Sequence, residues 1–315
     1  VMGCANFAWR SMIPALIECN EVDLVAVASR TQDKAKTFSH RFNCDAVVGY
    51  EALLSREDVE AIYMPLPTGL HEEWVNKALE SGKHLLVEKS FAENFSSAKK
   101  MIDLARTKKC LVMENFLFPH HSQHTWVTEK IKKAELGRIH LFRSTFGFPP
   151  LAQDNFRYNR SLGGGALLDA GAYVVKAAQI FLEDNIELCG ATLYYDDKLG
   201  VDIYGDAMFT NSNGQVAQVS FGFDYYYQCH YEILGTQGKL VVERAFTPPP
   251  GFSPWVRLEQ RENMERFTLP SDNHYVNMIR CFANTVRTGN GWHNHLDDIL
   301  RQAKLLDAIR KESSL

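Results

Sequence analysis

The 315-residue chain carries 34 Lys and Arg against 38 Asp and Glu, a formal charge of −4, with 45% hydrophobic and 23% charged residues. That composition supports a buried core and excludes disordered and collagen-like chains. A nucleic-acid binder would show a basic face, so no nucleic-acid partner is expected. The seven cysteines include no C-x-x-C pair, which argues against a disulfide framework and a zinc cluster. Reduced thiols in a cytoplasmic protein without a metal are the expectation. No apolar run approaches the roughly 20 residues that span a bilayer, so no membrane partner is expected. No signal peptide is visible, although the chain opens inside a strand, which leaves a targeting segment upstream open.

From residue 1 to about 116, short apolar runs alternate with segments of helical length. The runs are Val1-Met2, 24–28, 46–48, 61–64, 85–87 and 110–113. Near-continuous apolar runs of this length are the mark of buried parallel strands. One intervening helix runs from Asn94 to Arg106. The alternation predicts a doubly wound parallel sheet, an N-terminal Rossmann domain over 1–116. Beyond it the rhythm changes. Helices are expected over 122–135 and 166–182, and strands over 138–148, 187–197, 202–211, 215–224, 228–234 and 238–243. Several of these alternate apolar and polar residues, with turns at Asn213-Gly214 and Gln237-Gly238, which suggests hairpins. Residues 117–315 thus read as a C-terminal α+β domain with an open, mostly antiparallel sheet. The proline-rich stretch 247–254 cannot enter a central strand. A last helix over 294–311 could pack back on the first domain.

The segment GCANFA, Gly3 to Ala8, follows the first strand and opens a helix. It fits a relaxed dinucleotide fingerprint, G-x-A-x-x-A, in which small residues let the backbone turn and approach a pyrophosphate at the helix N-terminus. Gly3, Ala5, Asn6, Phe7 and Ala8 are therefore candidate cofactor contacts. The second strand ends in Ala28-Ser29-Arg30-Thr31 with no acid before Asp33. A hydroxyl and a guanidinium suit a 2′-phosphate, so Ser29 and Arg30 favour NADP(H) over NAD(H). Pro65, Leu66 and Pro67 form the turn after another strand, a place that lines the cofactor crevice, and are candidate cofactor contacts; His71 starts the next helix as either a helix-start residue or a ligand contact.

The fifth strand ends in Glu88-Lys89. This pair, with LGGGALLDAGAYVVKAAQ over 162–179, resembles the Gfo/Idh/MocA oxidoreductase family over essentially the whole chain. Within that family, STFGFPPL, FRYNRSLGGGALLDAGAY and ERAFTPPP look like NDP-hexose 3-ketoreductases of deoxysugar biosynthesis. The resemblance implies an NADPH-dependent enzyme that reduces a keto group, at C3, of a nucleotide-linked sugar. Family members usually read E-K-P, often with a cis peptide before the proline. Here Ser90 stands in that place, so a trans bond is expected on intrinsic cost.

Hydride transfer to a ketone builds negative charge on its oxygen, so the site needs a cation beside that oxygen and an acid to protonate it. Lys89 at a strand end is the candidate cation. Tyr173 is the candidate acid. A phenol titrates near 10, and a neighbouring ammonium lowers that value. The two must therefore meet at the nicotinamide, with Glu88 beside them as a cofactor contact. Asp169, four residues before Tyr173, is expected to bind a sugar hydroxyl or orient Lys89. Lys176 is either a further positive charge near a diphosphate or a solvated side chain. His121, from FPHHSQH, is expected to line the substrate cleft, and Arg157 and Arg160 to contact the diphosphate. His120, His121 and His124 lack an evident further ligand for a metal. Tyr225 and Tyr227 share a sheet face and suggest packing or a subunit interface. A dehydrogenase of a free sugar, cyclitol or trans-dihydrodiol and a non-catalytic sugar or cofactor sensor are the competing functions. The apolar outer face of the C-terminal sheet predicts a homodimer or homotetramer through that sheet.

Overall fold

The structure, a computed structural model, describes residues 1–182 and 185–313. The chain divides into two compact units, Val1–Phe116 with Tyr275–Ala303, and Leu117–His274 with Lys304–Leu315. Among the described residues, no helix is long and apolar enough to cross a membrane.

In the first unit a π-helical stretch, Ala8–Met12, runs into α1 (Ile13–Glu18). There follow β1 (Ala26–Ser29), α2 (Gln32–Phe42), β2 (Asp45–Val48), α3 (Tyr50–Leu54), β3 (Ala61–Met64), α4 (His71–Glu80), β4 (His84–Val87), α5 (Phe95–Lys108) and β5 (Val112–Glu114). The strands are short, and those nearest the middle are apolar on both faces, as a sheet covered by helices on each side requires. β1 pairs in parallel with β2, and β3, β4 and β5 pair in parallel in that order. The expected strand Val1-Met2 is reduced to a parallel bridge from Met2 to Ala28. The Met2 N–H also donates to the Tyr63 carbonyl at 2.9 Å, so the first residues lie between β1 and β3. The result is the Rossmann-type parallel sheet expected from the sequence. Asn94 caps α5 by accepting from the Ser97 N–H at 2.9 Å.

The second unit holds α6 (Ser122–Lys132), β6 (Ile139–Gly147), α7 (Ala172–Phe181), preceded by a π-helical turn Leu167–Gly171, and then β7 (Glu187–Asp196), β8 (Val201–Thr210), β9 (Val216–Gly222), β10 (Gln228–Gly235), β11 (Lys239–Val242), β12 (Trp255–Gln260) and β13 (Asn263–Thr268). These strands form one eight-stranded sheet in the order β13-β12-β11-β10-β6-β9-β8-β7. Every pair is antiparallel except β6–β9. On the inner face Phe142, Phe209, Phe221 and Tyr231 are fully buried, while Tyr194, Tyr204, Met208 and Leu234 are exposed on the sheet. Opposite the adjacent Tyr194 and Tyr195, β8 offers Tyr204 and Asp202, so Ile203 is an extra residue in that strand.

Two features go beyond the sequence expectations. β12 and β13 escape them because only Val256 and Leu258 carry the inner-face pattern in a segment flanked by prolines and charges. The helix α8 (His274–Thr288) escapes them too, although Val276, Ile279, Phe282 and Ala283 recur at helical spacing and are buried. It precedes the closing helix α9 (Trp292–Glu312).

Candidate active site

Gly3 has φ +123°, and a Cβ on it would lie 2.9 Å from Leu66 Cδ2. The positive φ favours glycine at this turn, and the close Leu66 tip adds to that preference. The Gly3 N–H donates to the Ala28 carbonyl at 3.0 Å, and Trp9 N–H to the Ala5 carbonyl at 3.0 Å, which opens the helix at Asn6. The first-turn amides around Asn6, Phe7 and Ala8 precede the helical ladder and can serve an anion. No acid stands in that turn. Arg30 is exposed at the end of β1, whereas Ser29 is buried and its Oγ accepts from the Thr31 N–H at 3.3 Å. Ser29 therefore shapes the turn that carries Arg30.

His71 corrects an expectation. It is fully buried, with Nδ1 3.0 Å from the Phe91 carbonyl and Nε2 2.9 Å from the Leu66 carbonyl. Burial pulls its pKa below the ordinary histidine value, against those carbonyls. A ring occupied by backbone on both sides braces the Pro65–Pro67 turn and offers no atom to a ligand.

Glu88 and Lys89 follow β4, both half-buried. The Tyr63 hydroxyl and Asn115 Nδ2 each donate to Glu88 Oε1 at 2.7 Å. Burial raises the Glu88 pKa above the usual carboxyl range, against those two hydrogen bonds and the Lys89 charge. The Lys89–Ser90 peptide is cis, contrary to the trans bond expected from intrinsic cost. Contacts hold the segment on both sides. The Glu88 N–H donates to the Met64 carbonyl and the Asn115 N–H to that of Val87, while Glu114 Oε1 accepts from Phe91 N–H at 2.8 Å. Tyr63 and Asn115 are not among the residues that the sequence singles out. Their sole signal is their place at the ends of the strands beside Glu88.

In the second unit, the turn before the helix that bears Tyr173 is built by side chains that accept backbone N–H groups. Asn155 and Asn159 accept from the N–H groups of Arg157 and Ser161 at 3.1 and 3.0 Å. Gly165, at φ +116°, lies against Asp202, and a Cβ there would collide with the Asp202 Oδ1. Asp202 Oδ2 accepts from the Leu167 N–H at 2.5 Å and so caps the helix from β8. Nothing in the local sequence hints at this partner, 35 residues away.

Within the π-helical turn, Asp169 pairs with Arg157 at 2.7 Å. Arg157 was expected on a diphosphate; the structure gives its guanidinium Asp169 as a partner. The Tyr173 ring stands 5.0 Å from Phe146, 5.8 Å from Phe246 and 6.1 Å from Phe118. Lys176 is buried, which removes the solvated reading. Arg160 is exposed. His121 is fully buried and caps α6, its Nδ1 accepting from the Gln123 N–H at 3.2 Å. It therefore does not line an open cleft as expected. His124 lies between the Tyr231 hydroxyl at 2.9 Å and the Ala245 carbonyl at 2.8 Å, with its pKa lowered to about 3, chiefly by burial.

The family model for the oxidoreductase family with an NAD-binding Rossmann fold matches residues 1–116, and that for the GFO/IDH/MocA C-terminal domain matches 124–241. The chain belongs to the Gfo/Idh/MocA oxidoreductase family. It is 40% identical over 315 residues to a dTDP-3,4-didehydro-2,6-dideoxy-alpha-D-glucose 3-reductase of Saccharopolyspora spinosa, covering 98% of this chain and 95% of the relative. The Actinomadura kijaniata enzyme of the same name is 41% identical over 310 residues, covering 98% and 93%. A crystal structure of a 3-ketoreductase from Actinomadura kijaniata with NADP and TDP-benzene superposes with a TM-score of 0.94 at 41% identity, covering 99% of this chain and 96% of that one. Structures of that enzyme also exist with one tyrosine changed to phenylalanine and with one lysine changed to alanine.

Proposed function

We propose that this chain uses NADPH to reduce the C3 ketone of a nucleotide-linked keto sugar, with Lys89 polarising the ketone and Tyr173 donating the proton. The observation that carries this reading is one of spacing. The substituted lysine and tyrosine of the Actinomadura 3-ketoreductase lie 84 positions apart, the separation of Lys89 from Tyr173.

The residues of the first unit fit NADP(H). The Gly3 turn favours glycine, β1 ends in an exposed Arg30 with no acid beside it, and Asn115 Oδ1 is a buried acceptor with no hydrogen-bond partner. Gly3, Ala5, Asn6, Phe7 and Ala8 would hold the pyrophosphate, Arg30 the 2′-phosphate, and Glu88 the nicotinamide end. When bound, the cofactor supplies the hydride. The Lys89 ammonium stabilises charge growing on the substrate oxygen. The Tyr173 hydroxyl then gives up its proton to that oxygen, and its aromatic neighbours hold the ring in place. Arg160, exposed ahead of the glycine turn, would meet the diphosphate.

Turnover with TDP-linked keto sugars, compared with free sugars, tests the substrate. Reduction of the TDP-linked ketone is expected, with Lys89→Ala lowering kcat/KM by about 10²–10⁴-fold. Oxidation of free sugars alone would move the assignment to a sugar dehydrogenase. Full turnover by Lys89→Ala would remove this lysine from the mechanism. We also propose that the sheet face bearing Tyr194, Tyr204, Met208 and Leu234 is covered by a second copy of the chain. Light scattering at micromolar concentration should then report a dimer or tetramer, and a monomer would contradict it.

A further inference from the structure

We infer that Tyr63 and Asn115 are positioning residues for the nicotinamide carboxamide, because they hold Glu88 by one oxygen and leave its other oxygen to accept the carboxamide N–H. This inference rests on the NADP(H) reading above.

The three side chains stand at the ends of three neighbouring strands. Tyr63 lies in β3, Glu88 directly follows β4 and Asn115 directly follows β5, in a register that sets Met64 beside Val87 and Val87 beside Glu114. Both donors converge on Oε1 at 2.7 Å. Two donors fill the two lone-pair directions of a carboxylate oxygen, which fixes the plane of the group and leaves Oε2 for another donor. Glu88 as a whole residue is half-buried at the strand ends. Asn115 is 2% exposed, and its Nδ2 also lies 3.8 Å from Met12 Sδ, in the helix that opens at the Gly3 turn. The amide thus ties the strand ends to the glycine-turn helix. Its oxygen is buried with no hydrogen-bond partner, a second acceptor at the same place. Acceptors gathered here select a donor-bearing ligand edge. At the nicotinamide end of the cofactor, the carboxamide is the group that carries N–H donors.

The test is a set of fluorescence titrations with three ligands: NADPH, 2′-phospho-ADP-ribose, which lacks the nicotinamide, and the reduced 3-acetylpyridine analogue, which carries a methyl ketone in place of the amide. Asn115→Leu and Tyr63→Phe are each expected to weaken NADPH about tenfold. Binding of 2′-phospho-ADP-ribose should stay within about twofold of the native chain, and the loss should shrink on the acetylpyridine analogue. Equal weakening of NADPH and 2′-phospho-ADP-ribose would mean general damage to the fold and overturn the inference. Unchanged NADPH binding in both variants would overturn it as well. If the native chain binds neither NADPH nor the fragment, the cofactor reading itself fails and takes this inference with it. Tyr63→Phe retains the ring and its packing, so it keeps the test decisive should Asn115→Leu not fold.

Discussion

Glu88 and Asp169 are two half-buried carboxyl groups held in different ways. Glu88, at the end of a parallel strand, is gripped by two neutral donors, and burial raises its pKa. Asp169, in a π-helical turn, is paired with a guanidinium. The strand-end carboxyl is therefore oriented by neutral donors, while the helical one faces a full positive charge. Orientation by neutral donors keeps an acceptor available; pairing with Arg157 sets an opposite charge beside Asp169.

Removing the charge partner tests the helical side and carries the larger effect. Arg157→Leu is expected to cost about 1–3 kcal/mol, because a half-buried carboxylate loses one charged partner. Thermal unfolding should register this as a lower Tm, and Asp169→Leu in the same background should recover part of it. No change in Tm would show that solvent already screens the pair. A smaller effect is expected on the strand side. A carboxyl whose folded pKa lies above its unfolded value favours the fold most at low pH, and that contribution is lost as pH rises through the folded pKa. Glu88→Gln should therefore equal or exceed the native Tm at pH 7 and lose that advantage near pH 4. A marked loss of stability at pH 7 would mean that the charge of Glu88 supports the fold.

The parts legible in the sequence are those written in contiguous residues. The Gly3 turn, the Glu88-Lys89 pair and the alternation of β8 and β9 each depend on neighbours along the chain. What escaped depends on contacts between distant segments. Asn115 reaches Glu88 from the end of another strand, and Asp202 reaches Leu167 from β8. His71 and His121 show the same limit. His71 was suggested by its place after a strand-end turn and His121 by the resemblance of its segment to relatives, but tertiary burial turned both into partners of the backbone.

The extra residue in β8 has a consequence for the helix that bears Tyr173. Strict alternation would put Asp202 on the same side of the sheet as Tyr204, facing outward. Ile203 breaks that alternation, so Asp202 is buried against the helix start while Tyr204 remains exposed. Deleting a single residue there would restore the regular pleat and send the carboxylate to the wrong side, leaving the Leu167 amide without its cap.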